Sequence, residues 1–151
     1  MARFRQTCLL PLALTLATAC SLPRWPVAGP MTSAWGLRLD GLWPEIHRGV
    51  DVGVDTGTPV HAMDDGQVEF AGSMRGYGNT VILRHGVSTR SLYAHLSEFR
   101  VRTGDSVSHA QVIALSGATG DVSGPHLHFE ILRNGRSEDA VLLLGGWPPR
   151  K

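Results

Sequence analysis

Cysteine is nearly absent. Cys8 and Cys20 are the two in a chain of 151 residues, and both fall in the first twenty positions, so no disulfide framework braces the remainder. Apolar runs of membrane-spanning length are also missing. The stretch Leu9–Leu16 falls short of the roughly 20 residues that a spanning helix needs. Charge of one sign is scarce: 14 basic residues face 13 acidic ones, and no cluster of Lys and Arg offers the face that phosphate binding requires. Nucleic acid is therefore not expected as a partner. There is no internal repeat, heptad pattern or low-complexity tract, and the length suits a single domain.

The first residues carry a different signal. Arg3 and Arg5 precede the apolar run, and small residues follow it to Ala19, the order of an export signal over residues 1–19. Removing Arg3 and Arg5 leaves twelve basic side chains against 13 acidic ones. Two processing routes meet at one bond. Ala17-Thr18-Ala19 satisfies the small-x-small cleavage rule, whereas Cys20 directly after Ala19 resembles a bacterial lipobox, with Leu16 and Ala17 shifted from its usual order. Lipid attachment at Cys20 would account for a lone cysteine in the exported chain. The expected location is then the periplasmic face of a membrane, the outer membrane favoured by Ser21; plain secretion is the other route.

Residues 20–30 hold three prolines and no periodicity, which reads as an extended tether, and the folded domain is expected over residues 31–144. Within it, short apolar runs at Val50–Val54, Pro59–Ala62, Gln67–Ala71, Thr80–Leu83, Ser91–His95, Val112–Leu115 and His126–Leu132 are bounded by turn residues, a strand pattern. Asp64-Asp65-Gly66, Arg75-Gly76-Tyr77-Gly78-Asn79, Thr103-Gly104-Asp105 and Asn134-Gly135 punctuate them. The expectation is an all-β fold, antiparallel sheets packed as a sandwich or partly open barrel, with Val141–Leu144 as a last element and residues 145–151 as a frayed tail.

Three segments carry chemistry. In His126-Leu127-His128 the two imidazoles share one strand face, with Leu127 and Phe129 on the other. His47 and Asp51 are four apart; Gly49, Gly53 and the intervening valines oppose a helix. A straight strand would hold the pair about 13 Å apart, too far to share a metal with ligand bonds near 2 Å. A bend is required, and Gly49 is the residue to supply it through backbone angles closed to others. Tyr93-Ala94-His95-Leu96-Ser97 is the third segment.

Taken together, these segments resemble the lysostaphin-like (LytM-type) zinc metallopeptidases, marked by His-x-x-x-Asp, Tyr-x-His-Leu-Ser and a closing His-x-His. The likeness runs from Gly49 to Gly135 through Gly57-Thr58-Pro59-Val60, Gly76-Tyr77-Gly78-Asn79, Gly117-Ala118-Thr119-Gly120 and Ser123-Gly124-Pro125-His126-Leu127-His128-Phe129-Glu130. Val122 and Ala140 depart from the pattern, at no site position. The resemblance implies the duplicated hybrid motif fold, one zinc ion per chain held by His47, Asp51 and His128, and His95 and His126 as unligated histidines beside it. Three protein donors leave a fourth tetrahedral position open, as in catalytic rather than structural zinc sites. The motifs do not fix which free imidazole is the base; the assignment carried forward makes it His126, with His95 steadying the oxyanion. His61, His85 and His109 are read as non-catalytic, while Trp43 and Tyr77 are candidates to line a substrate groove. The implied function is endopeptidase cleavage of peptidoglycan cross-bridges. Some relatives instead activate cell-wall amidases without cutting; these typically lack a site residue, and all five are present here.

Overall fold

The computed structural model describes residues 22–40 and 43–150. The segment read as an export signal, and Cys20, lie outside the described residues. Twelve strands follow in order: β1 (Met31–Ser33), β2 (Gly36–Asp40), β3 (Trp43–His47), β4 (Val50–Val52), β5 (Pro59–His61), β6 (Gly66–Met74), β7 (Gly78–His85), β8 (Thr89–Phe99), β9 (Ser106–Val107), β10 (Val112–Ser116), β11 (Leu127–Arg133) and β12 (Arg136–Glu138). One short helix, α1 (Ala140–Leu143), follows, with Asp139 capping its N-terminus. Antiparallel pairing gives one large open sheet in the order β1-β4-β11-β8-β7-β6-β9. Strand β10 bridges β5 and β8, and β12 pairs with β11. Strands β2 and β3 form a separate hairpin. The all-β expectation is met by a sheet that stays open.

Alternation along β11 divides the molecule. Leu127, Phe129 and Ile131 enter the apolar core with Val50, Val52, Tyr93 and Leu96, while His128 and Glu130 are buried on the opposite face. Phe129 anchors the core side, its ring centroid 5.3 Å from Tyr93 and 6.0 Å from Trp25; such pairs contribute about 0.5–1.5 kcal/mol each beyond area burial. The Asn134-Gly135 turn, with φ of 50° and 77°, joins β11 to β12 with Arg133 opposite Arg136. Two consecutive positive φ values mark a type I′ hairpin.

Two terminal segments depart from expectation. Residues 24–30 are not an extended tether: Trp25 is only 7% exposed and joins Val27 in the core. Its indole Nε1 donates to the Gly146 carbonyl at 3.0 Å, and the carbonyls of Pro26 and Pro30 accept from His61 and Gly53. Prolines lose a donor but keep an acceptor, so proline content alone did not distinguish a tether from a docked segment. The tail is tied to the same segment, with Gly29 N–H donating to Pro149 O at 2.8 Å. The β2–β3 hairpin also escapes the pattern, because Leu37, Leu39 and Ile46 point to solvent rather than into a core.

Candidate metal centre

Strands β4 and β11 pair with Asp51 directly opposite His128, so both side chains project from the same face. His47, the last residue of β3, joins them after a sharp turn at Arg48 and Gly49. Gly49 does supply the bend, but through close approach rather than through special backbone angles. It is not among the glycines with positive φ; instead, a Cβ there would stand 2.5 Å from the Phe129 carbonyl oxygen and 2.9 Å from His128 Cε1. Only a residue without a side chain lets the turn press against β11.

His47, Asp51 and His128 bring one donor atom each within 4.8 Å of one another. His47 Nε2 lies 3.3 Å from Asp51 Oδ1 and 3.2 Å from His128 Nδ1, and the last two atoms are 2.8 Å apart. Around a tetrahedral metal with bonds near 2 Å, neighbouring donors stand about 3.3 Å apart. The triangle therefore fits such an ion, with one edge slightly contracted.

Outer hydrogen bonds orient the two histidine donors inward. His47 Nδ1–H donates to Ala34 O at 2.7 Å, leaving the Nε2 lone pair toward the other two. His128 Nε2–H donates to Glu130 Oε1 at 3.0 Å, so Nδ1 presents its lone pair. Glu130, only 2% exposed, is fixed in turn by the Tyr77 hydroxyl, which donates to the same oxygen at 2.7 Å. Arg38 Nη1 lies 4.0 Å from the outer Asp51 oxygen, Oδ2. Acceptors converging in one place are satisfied by a metal ion or, without one, by a proton between them; carboxylate–histidine partners of this kind orient metal ligands and raise their basicity. Glu130 stood in the quoted motif without a role. Its bond to His128 follows from alternation along β11, and its bond to Tyr77 from the strand arrangement.

His95 and His126 lie beside this group. Regular alternation on β8 would send His95 into the core after Tyr93. Between Tyr93 and Leu96, however, β8 carries one residue more than its partner β7, and His95 adopts φ 61°. This bulge turns the imidazole to the metal face, a common use of such irregularities. Its ring centroid lies 4.7 Å from His126 and 5.8 Å from His128. Nδ1–H donates to Thr119 O at 2.9 Å, and the loop carrying that carbonyl comes so close to Gly78 that a Cβ there would sit 2.5 Å from the oxygen. His126 Nδ1–H likewise donates to Gly124 O at 2.9 Å, and its Nε2 is 3.8 Å from Asp51 Oδ1. Both rings thus hold their proton on Nδ1 and keep Nε2 as an acceptor.

Burial opposes charge on Asp51, yet hydrogen bonds and charge from His128 and His47 outweigh it and hold the carboxyl well below the usual carboxylate range. Burial would lower His128 too, but its bonds to Asp51 and Glu130 push it up to about 9. Burial, opposed by the Thr119 carbonyl, leaves His95 below its ordinary value. In the metal-free protein a proton therefore occupies the Asp51–His128 pair at neutral pH. A cation must displace it, so apparent metal affinity is expected to fall roughly tenfold per pH unit as the solution is acidified below about 9. Competition titrations between about pH 6 and 8, with calorimetry in buffers of different ionisation enthalpy, measure this; an affinity flat with pH would contradict it.

The group lies in a cleft of about 440 Å³ whose lining includes Arg38, Arg48, Tyr77, Asp121 and Ser123. Tyr77 takes the groove position expected of it. Trp43 does not: it sits at the far end of the hairpin, 79% exposed. His61 and His85 bond to the Pro26 and Asp65 carbonyls, and His109 N–H bonds to Asp65; none joins the metal group.

An open antiparallel β sheet that presents two histidines and an aspartate as metal donors, with two more imidazoles alongside, has the features of a metallopeptidase. The chain belongs to peptidase family M23, whose sequence profile matches residues 45–140. It is 40% identical over 114 residues to the DD-carboxypeptidase/endopeptidase Mpg of Neisseria meningitidis serogroup B, covering 74% of this chain and 26% of that protein. It is 37% identical over 123 residues to the murein hydrolase activator EnvC of Escherichia coli, covering 80% of this chain and 28% of that one. The chain thus spans about a quarter of the length of these relatives. A zinc-containing peptidase from Vibrio cholerae superposes with a TM-score of 0.76 at 32% identity, covering 85% of this chain and 40% of the other.

Proposed function

We propose that the chain is a zinc-dependent endopeptidase that hydrolyses peptide cross-bridges of peptidoglycan. The observation that carries this reading is the cluster of one ligand atom each from His47, Asp51 and His128, flanked in the same cleft by two imidazoles whose Nδ1 atoms are bonded elsewhere. Zinc, when bound, supplies Lewis-acid polarisation of a carbonyl and acidification of water. His47, Asp51 and His128 hold the ion, and Glu130 with Tyr77 fixes the third of them. His126 Nε2, close to Asp51, accepts the proton of the attacking water and returns it to the leaving amine. His95, facing the same centre, steadies the developing oxyanion through a proton that its free Nε2 takes up from solvent. The decisive experiment incubates the zinc-loaded chain with purified peptidoglycan and counts new amine ends against metal content. One zinc per chain with amine release that stops on chelation is expected; full zinc without amine release would end the reading.

The likeness to an activator of murein hydrolases favours a second reading, in which the chain binds cell wall or stimulates a separate amidase. The complete donor set speaks for the enzyme. Adding the chain to a purified amidase separates the two readings.

We also propose export, with attachment to a membrane through lipid on Cys20, and the outer membrane as the destination. No helix among the described residues is long and apolar enough to cross a membrane, and each buried lipid CH₂ contributes about 0.8 kcal/mol to anchoring. Cys20→Ser is expected to move the protein from the membrane fraction to the soluble one; unchanged fractionation with no lipid found by mass spectrometry would replace anchoring with plain secretion.

A further inference from the structure

Two arginines face the cleft, and they are not equivalent. Arg38 is already committed: Nε and Nη2 bond to Glu45 Oε2 at 3.2 and 3.1 Å, and Nη1 lies 3.3 Å from Ser33 Oγ. Arg48 lines the same cleft and is exposed. Among the described residues it has neither a side-chain hydrogen bond nor an ion pair. It directly follows His47 and lies three residues before Asp51, so its backbone is held between two of the metal donors while its side chain lines the cleft. Asp121 lines the cleft as well, on the loop that bonds back to Gly76. The cleft that holds the metal donors thus carries a cation with no direct bonding partner among the described residues.

We infer that Arg48 binds a free α-carboxylate on the residue that leaves with the amine, and so selects bonds whose scissile nitrogen sits on a carboxylate-bearing carbon. This rests on the peptidase reading above and names its substrate class.

The chemistry is local. In a D,D bond the carbon attached to the scissile nitrogen also carries an ionised carboxylate, whether that residue is a terminal D-amino acid or the cross-linked centre of a diamino acid. Its charge therefore stands close to the scissile carbonyl, and a cation that reads it must stand beside the metal. A glycine bridge has a neutral peptide carbonyl at that place, which gives Arg48 no partner. A guanidinium matches a carboxylate with two parallel hydrogen bonds. Arg48 feels the Glu130 carboxylate at longer range but makes no direct hydrogen bond or ion pair among the described residues, so none has to be broken first. At a partly exposed site the contribution corresponds to about 10–100-fold in kcat/KM.

The test uses the zinc-loaded chain and four peptides: a linear stem peptide ending in D-alanine, a D,D-cross-linked dimer, and both with the leaving residue's carboxylate amidated. Wild type is expected to favour the carboxylate forms by about 10–100-fold. In Arg48→Gln the ratio is expected to collapse toward unity, with partial recovery in Arg48→Lys. Which carboxylate peptide shows the preference separates a terminal residue from a cross-link as its source. A wild type without preference, or a ratio that persists in Arg48→Gln, overturns the inference. If wild type cleaves none of the four, the peptidase reading fails separately. Equilibrium binding of the same peptides, followed by NMR titration, then decides the role of Arg48. Weaker binding of only the carboxylate forms to Arg48→Gln upholds it, and equal binding by the two proteins overturns it.

Discussion

His128→Ala is expected to abolish both metal binding and peptidoglycan hydrolysis while leaving the β fold in place. The substitution removes one of three donors and leaves His47 and Asp51 3.3 Å apart with no third atom to complete the site. It also strips Glu130 of the imidazole it accepts from, leaving a nearly buried carboxylate with Tyr77 as its remaining hydrogen-bond partner. Some loss of stability follows, of the order of 1–3 kcal/mol for an under-satisfied buried group. The core is on the other face of β11, where Leu127 and Phe129 keep their contacts, so far-UV circular dichroism should remain that of a β protein. Metal analysis after dialysis and the amine-release assay read the two losses. Full zinc occupancy in this variant would remove His128 from the ligand set.

Much of this centre can be read from the chain because its parts are local. The i, i+2 spacing of His126, in an isolated bridge just before β11, and His128 brings both histidines to the metal side, and the His47–Asp51 spacing demands a bend that Gly49 supplies. What the sequence hides is set by pairing between distant strands. Nothing around Tyr93-Ala94-His95 announces that β8 carries an extra residue opposite β7, yet that bulge turns His95 out of the core. The reason for Gly49 is equally remote, because the backbone it must clear belongs to Phe129. Glu130 and Tyr77 were visible as letters in a motif, but their bond requires β7 and β11 to stand on either side of β8. Trp25 and the tail were misplaced for a related cause: Trp25 and Gly146 are 121 residues apart along the chain.

The second large effect separates catalyst from ligand. His126→Ala and His95→Ala are each expected to keep close to one zinc per chain and to lose about 10²–10⁴ in turnover, the range for proton transfer or oxyanion stabilisation. The argument is geometric. His126 and His95 spend Nδ1–H on the Gly124 and Thr119 carbonyls, so each offers the cleft a free Nε2, but neither belongs to the three-atom cluster that fits the ion. A fourth protein donor would fill the position that water needs. Substituting either ring removes a group that moves or shares a proton and leaves His47 and His128 with their orienting bonds to Ala34 and Glu130, and Asp51 opposite His128, intact. Zinc content and peptidoglycan cleavage, measured on the same preparations, give the result. Zinc lost from the His126 variant but retained in the His128 variant would mean that the two histidines of the pair have exchanged roles. Undiminished cleavage in both the His95 and His126 variants would take the two imidazoles out of the mechanism and leave the proton transfer to a group outside this set.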